Sequence, residues 1–169
     1  MNFLNNIKNN ISYKILTINN FLSLFIILLV FYLDRISKIK IIQQLQNGPI
    51  FINDFLNLEL MWNTGIGFGL FNLEAGLLYH LISTLILIVL LIVLYLIFIS
   101  TNFDKYLYSL IFGGAAGNFF DRLNYFAVPD FIDFHINNYH WFTFNIADIF
   151  ISLGIITIIL KELIFKHDN

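Results

Sequence analysis

The chain has 169 residues, of which 59% are hydrophobic, 18% aromatic and only 12% charged, with a formal net charge of −2. That apolar share exceeds the about 45–50% usual for soluble domains and points to a bilayer as solvent, and the near-neutral charge offers nucleic acid no basic face. The absence of cysteine excludes disulfides, thiolate metal sites and a cysteine nucleophile.

A helix crossing the hydrocarbon core needs about 20 apolar residues, with a range of about 17 to 25. The first such run, Ile15 to Leu33, is bracketed by Lys14 and Asp34. It continues directly into Asp34-Arg35 with no small-x-small cleavage site, so it is expected to stay as an anchor. Beyond it, Leu56, Leu58, Leu60 and Trp62 alternate with Asn57 and Glu59, a period of two that predicts a short strand in a small sheet at the membrane surface. The second run lies within Ala75 to Phe103 and is dominated by Leu81 to Ile99. The third, Tyr106 to Phe120, holds Gly113, Gly114, Ala115, Ala116 and Gly117, small residues that admit a neighbouring backbone and predict the packed centre of a bundle. Between about Leu123 and Thr143 an outer loop carries Tyr125, Phe126, Tyr139, Trp141 and Phe142, rings suited to the headgroup level. The fourth run, about Phe144 to Leu163, carries Asp148 in its first turns and spans only if that acid faces protein or water. The expectation is one integral domain: a tail at 1–14 and spans at about 15–33, 77–101, 106–122 and 144–163. Four spans put both termini on one side, and the lysines there (Lys8, Lys14, Lys105, Lys161, Lys166) favour the cytoplasm. The count on the other side, Arg35, Lys38, Lys40 and Arg122, is nearly as large, so the acid-free, lysine-bearing amino terminus carries that argument.

Polar residues gather at one end of these spans. Asp34 and Lys38, four apart, share a helix face and can pair. Asn118, Asp121 and Arg122 lie on one face at the end of the third helix, where Arg122 has the fixed donors to hold a carboxylate or a carbonyl. Asn145 and Asp148 repeat the three-residue spacing at the head of the fourth helix, where unpaired amides favour an anion and simple capping is one reading. Asp130 on the outer loop and Asp148 opposite it can converge on one water. Two close carboxylates share a proton, so one activates water while the other polarises a carbonyl. Proton or cation transport and structural pairing use intramembrane acids equally well, and a subunit of a larger complex would bury the same residues at an interface. His135 and His140 lie near Asp130 and Asp133 but lack H-E-x-x-H spacing, so they read as loop residues and no metal or other cofactor is expected. No serine stands in a nucleophile elbow. The run Gly65 to Gly69 lacks the lysine of a phosphate loop and reads as a close-packing segment.

These same residues carry a resemblance. Asn63-Thr64-Gly65-Ile66-Gly67-Phe68-Gly69 resembles the N-x-G-x-x-F-G segment of the lipoprotein signal peptidases, or signal peptidase II. Gly113 to Arg122 is similar to that family's G-G-x-x-G-N-x-x-D-R, Val128 to Phe131 to its V-V-D-F, Phe144 to Asp148 to its F-N-x-A-D, and Asp34 with Lys38 to its D-x-x-x-K. The resemblance implies a mainly α membrane protein with four transmembrane helices and a periplasmic β-cradle. It implies an aspartic endopeptidase in the bacterial inner membrane, facing the periplasm and sensitive to globomycin; the chain is expected to be a monomer. Its catalytic pair would be Asp130 and Asp148. Asp34, Lys38, Asn63, Gly65, Asn118, Asp121, Arg122 and Asn145 would bind substrate or support the pair, while Asp133 matches no catalytic position. The implied substrate is a prolipoprotein bearing diacylglycerol, cut just before its lipidated cysteine among membrane lipids. The departure is Pro129 in place of the second valine, which removes an amide donor beside Asp130.

Overall fold

The computed structural model describes residues 17–45, 48–65, 76–100, 102–137 and 139–165. Among the described residues four long helices and one antiparallel sheet follow in the order α1 (Ile18–Gln44), β1 (Ile50–Asn53), β2 (Leu56–Asn63), α2 (Leu77–Ile99), α3 (Asn102–Tyr125), β3 (Val128–Ile136), β4 (Tyr139–Phe144) and α4 (Ile146–Phe165). The amino-terminal tail with Lys8 and Lys14, the glycine-rich Ile66 to Gly69, and Lys166 lie outside the described residues.

α1 starts at Thr17, whose Oγ1 accepts the Asn20 amide at 3.3 Å and satisfies one of the orphan donors of the first turn. It does not stop at Asp34, where the apolar run ends, but continues to Gln44. Asp34 and Lys38 are therefore mid-helix, and both side chains are fully buried. α3 packs against the other three helices, as its small residues predict. A Cβ on Gly113 would stand 2.9 Å from the Ile27 carbonyl oxygen of α1, and one on Gly114 would stand 2.7 Å from the Ala147 carbonyl oxygen of α4. Two consecutive positions of α3, on different faces of the helix, thus each receive a neighbouring backbone, a spacing that larger side chains forbid.

The four strands pair antiparallel in the order β1-β2-β3-β4. The alternation from Leu56 to Trp62 does form a strand, β2. The outer segment read as a loop is instead a hairpin, so Asp130 stands on strand β3, and its backbone is fixed by pairing with Met61 of β2. Pro129 falls opposite Trp62, in a stretch of β3 that β4 does not reach, since β4 pairs only from Ile132 onward. A missing donor is tolerated on such a free edge. Phe126, between α3 and β3, adopts φ +53°, which costs a bulky residue free energy and turns the chain from helix to strand. Its ring lies 6.0 Å from that of Tyr79. Phe131 packs with Ile41 of α1 and with Leu45 at its C-cap, joined by Leu58, Leu60 and Ile146, and this cluster fixes the sheet to the end of α1 and the start of α4.

The outward faces of the helices are apolar. Phe21, Phe25 and Leu28 of α1, Leu85 and Leu91 of α2, and Ile156, Leu160 and Leu163 of α4 are each more than half exposed. Among the described residues one segment, Tyr79–Ile99, is by length and hydropathy able to cross a membrane. The other helices carry charged residues, several of them buried, which lower their mean hydropathy.

Candidate active site

The sheet delivers Asn63 and Asp130, the end of α3 delivers Asn118, Asp121 and Arg122, and the head of α4 delivers Asn145 and Asp148. Asn145 connects the two acids: its Nδ2 donates to Asp130 Oδ1 at 2.6 Å, and its backbone amide donates to Asp148 Oδ2 at 3.1 Å. The other carboxylate oxygens are held as firmly, Asp130 Oδ2 by Asn63 Nδ2 at 2.9 Å and Asp148 Oδ1 by Asn118 Nδ2 at 2.8 Å. Asn145 and Asp148 also cap α4 reciprocally, since the Asp148 amide donates to Asn145 Oδ1 at 3.1 Å. Capping and site-building are therefore the same bonds.

Beneath the acids lies a buried charge network. Lys38 Nζ donates to Asp34 Oδ2 at 2.8 Å, Asn118 Oδ1 at 2.8 Å and Asp121 Oδ2 at 2.7 Å, which uses all three protons of the ammonium. Arg35 donates to the other oxygen of Asp121 and lies over the Phe120 ring at 5.0 Å. Asp34 Oδ1 accepts the Ala147 amide at 3.1 Å, so α1 satisfies a first-turn donor of α4. Arg122 Nη2 donates to the Gly65 carbonyl, the Gly65 amide donates to Asn63 Oδ1 at 2.9 Å, and Tyr79 Oη donates to the Arg122 carbonyl at 2.9 Å. Sequence reading missed Arg35 and Tyr79. Arg35 carried a signal, three residues before Lys38 on α1; Tyr79 carried none, because its partner is distant in the chain.

Four acids (Asp34, Asp121, Asp130, Asp148) thus face three cations (Arg35, Lys38, Arg122). One proton on the Asp130–Asp148 pair makes the cluster neutral, which a poorly solvated site favours. Burial, reinforced by the nearby Asp148 charge, pushes the Asp130 carboxyl up to about 7 against the opposing pull of Asn63, Asn145 and Lys38. The Asp130 carboxyl therefore keeps its proton up to near neutral pH.

Asn63, Asn118, Arg122, Asp130 and Asp148 line the polar end of a cavity of about 350 Å³, and its remaining wall is mainly apolar, with Ile82, Ile86, Val89 and Val93 from α2 and Ile111 and Ile151 opposite. Arg122 Nη1 is buried without a hydrogen-bond partner among the described residues. All ten residues singled out from sequence lie in this one network.

The close contacts of α3 set the position of Asp148. Gly114→Ala would drive a Cβ against the Ala147 carbonyl, a backbone atom that moves only with the start of α4. Destabilisation of about 1–3 kcal/mol is expected for such overpacking, read as a lower Tm in a thermal melt in detergent.

A family model described as Signal peptidase (SPase) II matches residues 26–164. Among curated proteins, the lipoprotein signal peptidase of Pelagibacter ubique is 45% identical over 152 residues, covering 88% of this chain and 92% of its own length. That of Thermodesulfovibrio yellowstonii is 41% identical over 143 residues, covering 84% and 92%. Two bacterial membrane enzyme structures obtained by the in meso method are similar in fold. One, at 2.3 Å resolution, gives a TM-score of 0.72 at 29% identity and covers 87% of this chain and 90% of its own. The other, at 1.9 Å, gives 0.71 at 31% identity and covers 83% and 92%. With the match running through every element that builds the site, the chain belongs to the signal peptidase II family of membrane proteases.

Proposed function

We propose that this protein is an aspartic endopeptidase that removes signal peptides from diacylglyceryl-modified prolipoproteins, cutting just before the lipidated cysteine. The observation that carries the reading is the Asp130–Asp148 pair, bridged by Asn145 at the polar end of an apolar cavity. The ionised member of the pair takes a proton from a water as its oxygen attacks the scissile carbonyl. The protonated member donates to the carbonyl oxygen. Collapse of the tetrahedral intermediate breaks the C–N bond, and a proton passes to the leaving nitrogen, so the pair again holds one proton. Asn63, Asn118 and Asn145 fix the carboxylates and Lys38, Asp34, Asp121 and Arg35 fix Asn118 and the start of α4. Arg122 Nη1 is the donor available to a substrate carbonyl.

All four helices cross the bilayer in this reading. Their exposed faces carry large apolar side chains, while the charges of α1, α3 and α4 gather at two levels. Asp34, Lys38, Asp121 and Asp148 form one. At the other, Lys105 Nζ donates to Asn20 Oδ1 at 2.7 Å, Tyr106 Oη donates to Asn19 Oδ1 at 3.0 Å, and Lys161 pairs with Asp104. Asp104 and Asp121 of α3 are separated by about 25 Å of helix, close to the hydrocarbon thickness of about 30 Å. The sheet then forms a periplasmic cradle over the site, with both termini cytoplasmic and the protein acting as a monomer in the inner membrane. The apolar wall suits a signal-peptide segment or acyl chain entering laterally, and globomycin is expected to compete there.

The test is a gel-shift cleavage assay with purified protein in detergent, offering one prolipoprotein with and without diacylglycerol on its cysteine. Cleavage of the lipidated form alone, directly before the cysteine, is the expected result. Absence of cleavage by folded protein, accompanied by ion flux in liposomes, would replace this reading with a transporter.

A further inference from the structure

A second polar cluster, Asp133, His135 and His140, lies on the sheet and plays no part in the aspartate pair. We propose that these three side chains form a binding site for a divalent transition-metal ion of the zinc class, clasping the β3–β4 hairpin. The placement follows from strand geometry. Asp133 and His135, two apart on β3, project to one face, while Asp130 falls on the alternate face. The β3–β4 register shifts between Phe134 and His135: Phe134 faces Phe142 but His135 faces His140, so Trp141 is the extra residue. Without that bulge His135 would face Trp141; with it, the two imidazoles are directly across from each other, stacked at 5.3 Å.

The donor set suits a borderline metal. One ligand atom from each of the three residues lies within 4.8 Å of the other two. Asp133 Oδ2 is 2.7 Å from His140 Nδ1 and 3.3 Å from His135 Nδ1. In a tetrahedral zinc site, ligand atoms about 2 Å from the ion stand about 3.3 Å apart, so small adjustments close the set. Two imidazoles with one carboxylate favour zinc, nickel or copper over the oxygen-seeking magnesium and calcium.

An independent observation points the same way. His135 is 6% exposed, and its Nδ1 is buried with Asp133 Oδ2 at 3.3 Å but with no aligned hydrogen bond among the described residues. A buried imidazole nitrogen left this way costs free energy, which metal ligation removes. Asn57, opposite Asp133 on β2, brings a buried Oδ1 that likewise lacks a hydrogen bond to the same face. His140 is exposed, which gives the ion a path in and leaves a coordination position for water. Because β3 carries Asp130 and β4 runs into Asn145, the clasp would stiffen the hairpin that holds both ends of the aspartate pair.

The test uses the full-length protein in detergent with its affinity tag removed, titrated with Co²⁺ as a spectroscopic probe and with Zn²⁺ in competition. Expected are one equivalent of bound metal, a tetrahedral Co²⁺ spectrum displaced by Zn²⁺, and a Tm raised by Zn²⁺. His140→Ala, at an exposed position, should weaken binding by at least the about 100-fold that loss of even an outer-shell partner can cause, and should leave turnover in chelator unchanged. Asp130→Asn, His80→Ala and His167→Ala should bind as the parent does. No saturable binding, or binding that survives His140→Ala, would overturn the proposal; binding lost in Asp130→Asn but kept in His140→Ala would place the metal at the aspartates and overturn it equally. The readout is metal binding, so failure of the peptidase reading would not be confused with failure of this one.

Discussion

Turnover of lipidated prolipoprotein is expected to fall by about 10²- to 10⁴-fold when either Asp130 or Asp148 becomes asparagine, the range that one positioned acid or base supplies. The double variant should be little worse than either single one, because residues acting as a unit are not additive. Both substitutions preserve shape, so insertion and folding should persist. Each carboxylate oxygen of the pair accepts from an asparagine side chain or a backbone amide, so the new amide nitrogen must face one of those donors, and the loss combines the missing proton transfer with a local shift of the side chain. Steady-state cleavage checks it, and normal turnover by either variant would end the two-aspartate mechanism.

The same acid makes a stability prediction whose sign is fixed by its titration. Asp130 is raised from 3.8 to about 7 in the folded protein. Between those values the native state holds a proton that the unfolded state has released, so stability falls as pH rises through the window and the full penalty is present above it. A shift of this size amounts to a few kcal/mol. Asp130→Asn has no charge to desolvate, but its amide nitrogen must face one of the two donors, Asn63 or Asn145. At pH 5 the variant is therefore expected to melt below the parent, and by pH 8 the difference should shrink or reverse. A gap in Tm independent of pH would refute the raised acid. In the active enzyme, loss of the shared proton places the alkaline limb of kcat/KM near 7.

What could be read from sequence depended on whether a signal was local. The small residues of α3 state their own purpose, since Gly113 and Gly114 predict the backbone contacts with Ile27 and Ala147. The alternation of β2 and the four-residue spacing of Asp34 and Lys38 are likewise local. The first half of β3 was hidden because Val128 to Phe131 are all buried and Pro129 reads against a strand, whereas Ile132-Asp133-Phe134-His135-Ile136 does alternate apolar with polar, a local signal that the reading of an outer loop passed over. The spacing of Asp34 and Lys38 already reads as helix, but its extension to Gln44 was hidden for a different reason: Asp34, Arg35 and Lys38 look like the water boundary, yet Asp121 and the first turn of α4 supply their partners. Tyr79 needed the third dimension altogether, as it meets Arg122 across two elements.

Lys38→Met is expected to destabilise the protein by about 3–5 kcal/mol, the cost of breaking a buried ion pair from one side. Methionine keeps the length of the stem, so packing survives and the loss is electrostatic. Lys38 is fully buried and serves three acceptors on two helices; without it the Asp34 carboxylate is left with only the Ala147 amide among the described residues, while Asp121 still has Arg35. Asp34 is thus the group left most exposed to the loss, and Asp34→Asn added to Lys38→Met should recover part of the stability by removing that charge. Thermal melts of the parent, both single variants and the double variant give the coupling between them. Near-zero coupling would mean that Lys38 serves only Asn118 and Asp121. Strong coupling would mean that Lys38 stabilises the same carboxylate whose other oxygen holds the Ala147 amide, so that the start of α4, and with it Asp148, depends on a lysine of α1 that it does not touch.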